Sequence, residues 1–161
     1  MISAIFAVDG QGGIGKNGTL PWPKHSEDLQ WFKRATFGHI VVMGGNTWRD
    51  PMMPKPLPGR LNVVVTSKNI DIPGVMVLNT DYKTYLTKMA KSNIDRHIFI
   101  IGGASLLLDC RDLLDQIVLT RFNENYGCDV SINIDTYLKD FVLDYSNKTE
   151  SAEYTIWKKN I

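Results

Sequence analysis

Residues 97–108 decide the fold class, and they run His97-Ile-Phe-Ile-Ile-Gly-Gly-Ala-Ser-Leu-Leu-Leu108. The apolar run at 97–101 has the length of a buried strand, and the two glycines separate it from a short helix through Leu108. The same order recurs at 40–48, where the apolar run at 40–43 precedes Gly44 and Gly45 at the start of another short helix. Strands that alternate with helices predict an α/β fold.

The rest of the chain extends this pattern. Helical patterns lie at 82–91 and after Ser26, whose side chain is expected to cap a helix that reaches Phe37 and Gly38. We expect one domain over residues 1–161, with a central, mostly parallel twisted sheet of about eight strands, helices on both faces and a C-terminal antiparallel hairpin. The further strands of that sheet are predicted at 2–8, 61–66, 75–78, 116–122, 141–145 and 154–158.

Composition and charge favour a small-molecule ligand. The chain has 161 residues, 43% of them hydrophobic and 22% charged, and a formal net charge of +1. No apolar run approaches the roughly 20 residues of a membrane span. Basic residues are spread along the chain rather than gathered in the stripe of a nucleic-acid binder. We therefore expect no membrane or nucleic-acid partner. Because the N-terminus leads directly into a strand, without the basic segment and cleavage site of a signal peptide, we expect a cytoplasmic protein.

The cysteines and histidines do not indicate a metal site. The two cysteines, Cys110 and Cys128, and the three histidines, at 25, 39 and 97, show none of the CxxC or HExxH spacings of metal ligands. We therefore expect free thiols and no bound metal.

The glycine-rich string after the first strand resembles a dinucleotide site only superficially. Gly10-Gln-Gly-Gly-Ile-Gly15 satisfies the GxGxxG pattern of a Rossmann turn. Such a turn runs straight into a helix, whereas Asn17-Gly18 and Pro21, which follow here, do not begin one. The string therefore favours a mobile loop over a Rossmann site.

Asp28 is the candidate ligand-binding acid. On its own it is an ordinary acid in the first turn of a helix. Leu29 and Phe32 share much of its helix face, so its carboxylate borders an apolar stripe and faces a cleft. There it presents two acceptor oxygens to a ligand with two adjacent donors, such as the amino-pyrimidine edge of a pterin.

A set of short strings in a fixed order resembles the dihydrofolate reductase family. The strings are Leu20-Pro-Trp22, Asp28-Leu-Gln-Trp-Phe-Lys33, Val42-Met-Gly44 with Thr47-Trp48, Leu57-Pro-Gly-Arg60, Ile100-Ile-Gly-Gly103 and Leu119-Thr120. Each is common alone, but their shared order is specific. The resemblance covers roughly residues 1–130 and weakens beyond Asp129. It implies a monomer that reduces 7,8-dihydrofolate to 5,6,7,8-tetrahydrofolate, with a hydride from NADPH to C6 and a proton to N5.

The resemblance implies a catalytic set and a substrate pocket. Asp28 would bind the pterin 2-amino group and N3 and promote protonation of N5 through water, with Thr120 supporting it by a hydrogen bond. Leu20 and Trp22 match a mobile lid that excludes water. Arg60 would bind the α-carboxylate of the substrate's glutamate tail. The remaining pocket residues are apolar, namely Ile5, Ala7, Leu29, Phe32, Met52 or Met53, and Leu57.

The resemblance also implies an NADPH site along the strand ends. Gly44 and Thr47 at one helix start, and Gly102, Gly103 and Ala104 at another, would offer backbone N–H groups to phosphates. The peptide between the paired glycines is usually cis in this family. Two residues after a strand, Ser67 and Lys68, are assigned to the adenosine 2′-phosphate. The other expected cofactor residues are Ala7, Ile14, Gly15, Gly18, Thr19, Leu20, Gly45, Asn46, Thr66, Ile101, Ser105, Leu106 and Leu107.

Three departures from the family pattern leave alternatives open. Many relatives carry an arginine where this chain has Gly45, and an aromatic residue, often tyrosine, where it has Leu107. The segment between Trp22 and Asp28 is one residue longer. The preference for NADPH over NADH therefore stays open. Two other functions also stay open. One is the reduction of another pterin-like substrate, which Arg60 argues against. The other is that of a folate- or nucleotide-binding homologue that is catalytically weak or purely structural.

Overall fold

The computed structural model describes residues 1–23, 25–92 and 95–160. In this part of the chain the strands are β1 (Ile2–Val8), β2 (Gly13–Gly15), β3 (Ile40–Gly44), β4 (Leu61–Val65), β5 (Val75–Leu78), β6 (Ile98–Gly102), β7 (Gln116–Phe122), β8 (Val130–Ser131), β9 (Phe141–Lys148) and β10 (Ala152–Lys159). The helices are α1 (Ser26–Thr36), α2 (Gly45–Arg49), α3 (Tyr82–Ser92), α4 (Ala104–Asp109) and α5 (Ile134–Tyr137), with a 3₁₀ turn at Arg111–Leu113.

Eight strands form one sheet, in the order β5-β4-β3-β6-β1-β7-β10-β9. The strands from β5 to β7 are parallel, and β10 runs antiparallel to both β7 and β9. The expected fold class is confirmed, including the C-terminal antiparallel hairpin. β2 and β8 form a separate two-stranded ribbon.

The sheet has a hydrophobic layer on each face. Along β3, Ile40 and Val42 enter one layer, while Val41 and Met43 enter the other, as the alternation of side chains along a strand requires. The first layer contains residues of α3, α4 and α5, and the second contains residues of α1 and α2. Helices therefore cover both faces, as predicted.

Parallel strands bring distant parts of the chain together at their carboxyl ends. Met43 of β3 pairs with Gly102 of β6, so the glycine pairs that follow the two strands are neighbours. Ala7 of β1 pairs with Thr120 of β7 near the same edge. Ligands of open α/β sheets bind outside this edge, and the predicted site residues converge there.

Two local predictions were wrong. The N-cap of α1 is His25 rather than Ser26, because the His25 ring nitrogen Nδ1 accepts the Asp28 N–H at 3.2 Å and Ser26 is the first helical residue. The glycine-rich segment is not only a loop, because Gly13 and Gly15 pair with β8. No helix follows the glycines before Ser26 in the described residues, in agreement with the rejection of a Rossmann turn.

Candidate functional site

Asp28 and Thr120 form the polar centre of the cleft. Asp28 is half-buried on the first turn of α1, and Thr120 is buried on β7. Burial raises the pKa of the Asp28 carboxyl above its ordinary value, although a hydrogen bond with the Thr120 side chain and the nearby His25 act in the opposite direction. The pair is therefore a carboxyl group in a poorly hydrated place with a hydroxyl group near it.

An apolar wall lies beside this pair. Ile5 of β1 and Leu57 are buried, and Phe32 of α1 and Met53 pack against the same cluster. Leu29 is 43% exposed, so it contributes its side chain at the rim. Met52 is 76% exposed, and of the two methionines the structure therefore places Met53, and not Met52, in the wall.

Arg60 is held at the end of this wall by two hydrogen bonds. Its Nη1 donates to the Thr36 hydroxyl at 3.2 Å, its Nε donates to the Pro58 carbonyl at 2.9 Å, and its guanidinium lies 6.0 Å from the centre of the Phe32 ring. Desolvation lowers the pKa of Arg60. No carboxylate pairs with it in the described part of the chain. The site can therefore accept an anionic group from a ligand.

The segment predicted as a lid connects β2 to α1. Trp22 is buried, and its ring packs 4.7 Å from that of Phe122. Leu20 is 53% exposed. Thr19 directly precedes Leu20, and its hydroxyl hydrogen-bonds to the Asp50 carboxylate, with distances of 2.9 and 3.1 Å to the two oxygens. This segment is thus anchored at Trp22 on one side and joined to the end of α2 on the other.

The ends of β3 and β6 form a surface without side chains. A Cβ built on Gly44 would lie 3.8 Å from both the Gly102 oxygen and the Gly103 nitrogen, and one on Gly102 would lie 3.4 Å from the Thr47 hydroxyl. Gly102 has a φ of 142°, which favours glycine, and the peptide to Gly103 is cis, as the resemblance implied. A ligand can therefore approach this backbone closely, so the residues present fit the phosphate-bearing part of NADPH.

Further polar groups extend this surface along β4. Thr66 follows β4, and its hydroxyl accepts the Lys68 N–H at 3.2 Å. Ser67, Lys68 and Asn46 are exposed, and Gly45 is partly exposed. Ala7, Ile14, Gly15, Ile101 and Ala104 are also partly exposed, while Gly18 and Ser105 are exposed.

Two of the expected cofactor residues are not brought to the cleft. The Leu106 side chain is 7% exposed and that of Leu107 is fully buried, and both belong to the core beneath α4. The Leu107 carbonyl accepts the Tyr137 hydroxyl at 2.8 Å. At the position where relatives carry an aromatic residue, the Leu107 side chain therefore packs into the core and is not accessible to a ligand.

Sequence reasoning missed three side chains that hold the site together. Glu27 accepts hydrogen bonds from the hydroxyls of Thr149, Ser151 and Tyr154, which join α1 to the β9–β10 hairpin. Asp9 is buried and accepts N–H groups from both the glycine-rich segment and the segment before β8. The contacts of Glu27, and the contact of Asp9 with Tyr126, join residues more than 100 positions apart, so no local pattern could have revealed them.

The third missed residue is Arg49. It lies four positions after Gly45 in α2, and its guanidinium lies beside the position that a Cβ on Gly45 would take. The spacing was a usable signal, because residues four apart are neighbours on a helix.

Two other findings bear on the predicted site. Two open depressions, of about 770 and 620 Å³, lie around Arg121 and Glu153 and contain none of the predicted site residues. Within residues 1–23, 25–92 and 95–160, no group of three His, Cys, Asp or Glu side chains could hold a metal, and no helix is long and apolar enough to cross a membrane.

Known proteins resemble the chain over nearly its whole length. The family model for dihydrofolate reductase matches residues 1–158. The Escherichia coli protein dihydrofolate reductase type 8 is 28% identical over 98% of this chain and 95% of its own length. The Bacillus subtilis dihydrofolate reductase is 35% identical over 80% of this chain and 73% of its own length.

A solved structure agrees with these sequence matches. The Enterococcus faecalis dihydrofolate reductase complexed with NADP(H) and RAB-propyl superimposes with a TM-score of 0.79 and 26% identity, over 100% of this chain and 97% of that one. The similarity thus continues well past Asp129, where the sequence resemblance weakened. Most side chains of β9 in this C-terminal region are exposed, so core packing constrains few of them.

Proposed function

We infer that this chain, which belongs to the dihydrofolate reductase family, reduces 7,8-dihydrofolate to 5,6,7,8-tetrahydrofolate with NADPH in the cleft beside Asp28. The observation that carries the proposal is the half-buried Asp28 carboxyl, with its raised pKa and its Thr120 partner, at one end of an apolar wall. When bound, NADPH supplies the hydride that C6 of the pterin accepts. The chain is an enzyme, an oxidoreductase.

Asp28 has two tasks in this proposal. Its two oxygens accept hydrogen bonds from the 2-amino group and from N3–H of the pterin, and these bonds fix the ring in the cleft. It also promotes the protonation of N5 through a water molecule, and a raised pKa suits this task because the group can hold a proton nearer to neutral pH. Thr120 positions the carboxyl by its hydrogen bond.

Apolar residues and Arg60 set the substrate. Ile5, Ala7, Leu29, Phe32, Met53 and Leu57 are the proposed wall for the pterin and benzoyl groups. Arg60 takes the α-carboxylate of the glutamate tail, because its guanidinium is already fixed by Thr36 and Pro58 and pairs with no carboxylate among the residues that the structure describes. This unpaired arginine favours folate over a pterin without a tail.

The cofactor site uses the bare backbone at the ends of β3 and β6. We assign Gly44, Thr47, Gly102 and Gly103 to the phosphates, and Ser67 and Lys68 to the adenosine end. The lid residues Leu20 and Trp22 exclude water when the cleft is closed, which keeps the charges near Asp28 poorly hydrated.

We further propose a monomer in the cytoplasm. Asp28, Arg60, Thr47 and Gly102 all come from one chain, so the cleft needs no second copy. Cys110 and Cys128 are free thiols, as suits a reducing compartment. Light scattering after size-exclusion chromatography tests the oligomeric state, and imaging of a tagged chain in its own cell tests the location.

The decisive test is a steady-state assay of the purified chain. We expect loss of NADPH absorbance that depends on added dihydrofolate, with tetrahydrofolate as the product. Tight binding of dihydrofolate without turnover would contradict the proposal and support a binding homologue. Turnover of a tail-free dihydropterin that equals or exceeds turnover of dihydrofolate would contradict the assigned substrate.

A further inference from the structure

Arg49 occupies the space that the missing side chain of Gly45 leaves. It is the last residue of α2, is exposed, and folds back along the helix toward its first turn. A Cβ built on Gly45 would lie 2.9 Å from Nη1 of Arg49 and 3.5 Å from its Cζ. Nη2 donates to the Asn46 side-chain oxygen at 2.7 Å. The guanidinium is therefore held over bare backbone at the carboxyl end of β3.

The surroundings of this guanidinium are suited to an anion. The Thr66 hydroxyl lies 3.3 Å from the same Cβ position, so it borders the guanidinium from the end of β4. Ser67 and Lys68 follow Thr66 and are exposed. In the described ranges no carboxylate pairs with Arg49. Most of its five donors remain available. The carboxyl ends of β3 and β4 thus carry one polar patch. It contains the cations Arg49 and Lys68 and the hydroxyls of Thr66 and Ser67.

We propose that Arg49 binds the 2′-phosphate of NADPH together with Ser67 and Lys68, and that Gly45 makes this possible by leaving room for the guanidinium. The inference rests on the proposed function, because it assigns a residue to the cofactor of that reaction. A planar guanidinium matches a phosphate group bidentately. Arg60, which is fixed against Thr36 and Phe32, belongs to the substrate side, whereas Arg49 lies beside Gly45 and Thr66 on the proposed cofactor side.

The test measures binding and does not depend on turnover. Isothermal titration calorimetry with NADPH and with NADH is carried out on the wild-type chain, on Arg49→Gln and on the control Arg34→Gln, which removes the same charge from the exposed surface of α1. We expect Arg49→Gln to weaken NADPH binding about 10- to 100-fold, the range for one charged hydrogen-bonding contact, and to leave NADH binding nearly unchanged. Arg34→Gln should change neither.

A second variant tests the role of the glycine. Gly45→Ala places a methyl group where the Arg49 guanidinium lies, and the contact is with the flexible end of that side chain, so the helix persists and the guanidinium moves. We expect weaker NADPH binding in Gly45→Ala, and no further loss when the alanine is added to Arg49→Gln, because the two changes remove one contact.

Two results would overturn the role of Arg49 but leave the proposed function standing. They are unchanged NADPH binding in Arg49→Gln, and an equal loss of NADPH and NADH binding, which would assign Arg49 to a group that both cofactors share. If the wild-type chain binds neither cofactor, the proposed function fails as well. The wild-type titration therefore separates the two failures.

Discussion

Two ionisable side chains of the cleft, Asp28 and Arg60, lie where burial disfavours their charged forms. Asp28 is a carboxyl group whose pKa is raised by burial, and Arg60 is a partly desolvated guanidinium that has no carboxylate partner within the described ranges. Both placements cost stability in the free protein. Both are explained if a ligand supplies the missing partner, which is the pattern expected of a binding site rather than of a structural ion pair.

Asp28→Asn should separate activity from stability. The amide cannot promote N5 protonation, so we expect kcat at neutral pH to fall by about 10²- to 10⁴-fold. The melting temperature should rise at pH 7, because a carboxyl group whose pKa is raised by folding destabilises the native state once it ionises. This gain should shrink as the pH falls toward the unfolded pKa, where the penalty disappears. A control, Asp71→Asn on the surface, should change neither quantity, and a melting temperature lowered by D28N would contradict the sign.

Arg60→Gln should act on substrate binding more than on the chemical step. We expect KM for dihydrofolate to rise about 10- to 100-fold, with a smaller change in kcat. A dihydropterin without the glutamate tail serves as the matched control, because its KM should be unaffected. If both substrates lose equally, Arg60 has a structural task through Thr36 and the proposed contact with the tail is wrong.

At the scale of elements, Asp9 joins the segments on either side of the β2–β8 ribbon. Its carboxylate accepts the N–H groups of Gln11, Gly13 and Tyr126 at 2.8–3.0 Å and the Cys128 thiol at 3.3 Å. Burial alone would raise the pKa of Asp9, but these hydrogen bonds outweigh it and lower the pKa. Burial, together with the hydrogen bond to Asp9, raises the pKa of Cys128 to about 11, so this thiol remains protonated.

Asp9→Ala should release both segments. We expect a loss of about 2–4 kcal/mol in the free energy of unfolding, because buried N–H groups lose their acceptor. Hydrogen exchange should become faster at 10–19 and 123–131, but not in β3 or β6. Asp71→Ala, on an exposed loop, provides the control. Unchanged exchange in these two segments would show that Asp9 does not join them.

At the scale of the whole molecule, one sheet connects all parts of the chain. It extends from β5 to β9, and β1 and β10, the first and last strands, both pair with β7. We propose that residues 1–161 form one domain. Unfolding in urea, followed by tryptophan fluorescence and by far-ultraviolet circular dichroism, should then give coincident transitions.

Acid should destabilise the folded chain in two stages. Burial together with the charges of His97 and Arg96 lowers the pKa of His39, and hydrogen bonds lower those of Asp9, Glu27 and Asp112 against the effect of burial. A group whose pKa is lowered by folding contributes stability above its unfolded pKa, and this stability is lost as the pH falls through the folded pKa. The urea midpoint should therefore fall first below about pH 6.5 and again below about pH 4.5.

The source of each stage can be assigned with variants. His39→Gln should remove much of the first decline, and Asp9→Asn should reduce the second. Asp112 is exposed and pairs with Lys83, so its variant should have little effect. A urea midpoint that rises between pH 7 and pH 4 would contradict the scheme, because only Asp28 has a carboxyl pKa raised by folding among the groups considered.

The sequence by itself determined the parts that depend on local pattern. Apolar runs followed by glycines specified the strand–helix order, because side-chain periodicity and glycine breaks act over a few residues. The ordered strings predicted the family, and Asp28 with its apolar neighbours predicted an acid in a cleft. The boundaries of β9 and β10 extended beyond their predicted ends because their pairing, not their polarity, sets their length.

Only the tertiary structure decided which side chains meet. It placed His25 at the start of α1, chose Met53 over Met52, buried Leu107 and brought Arg49 over Gly45. Each of these outcomes depends on packing or on hydrogen bonds between residues whose side chains could also have faced solvent. Local sequence sets what a segment can form, whereas burial and partner geometry select one arrangement, and in this cleft that selection determines which charges are left for the ligands.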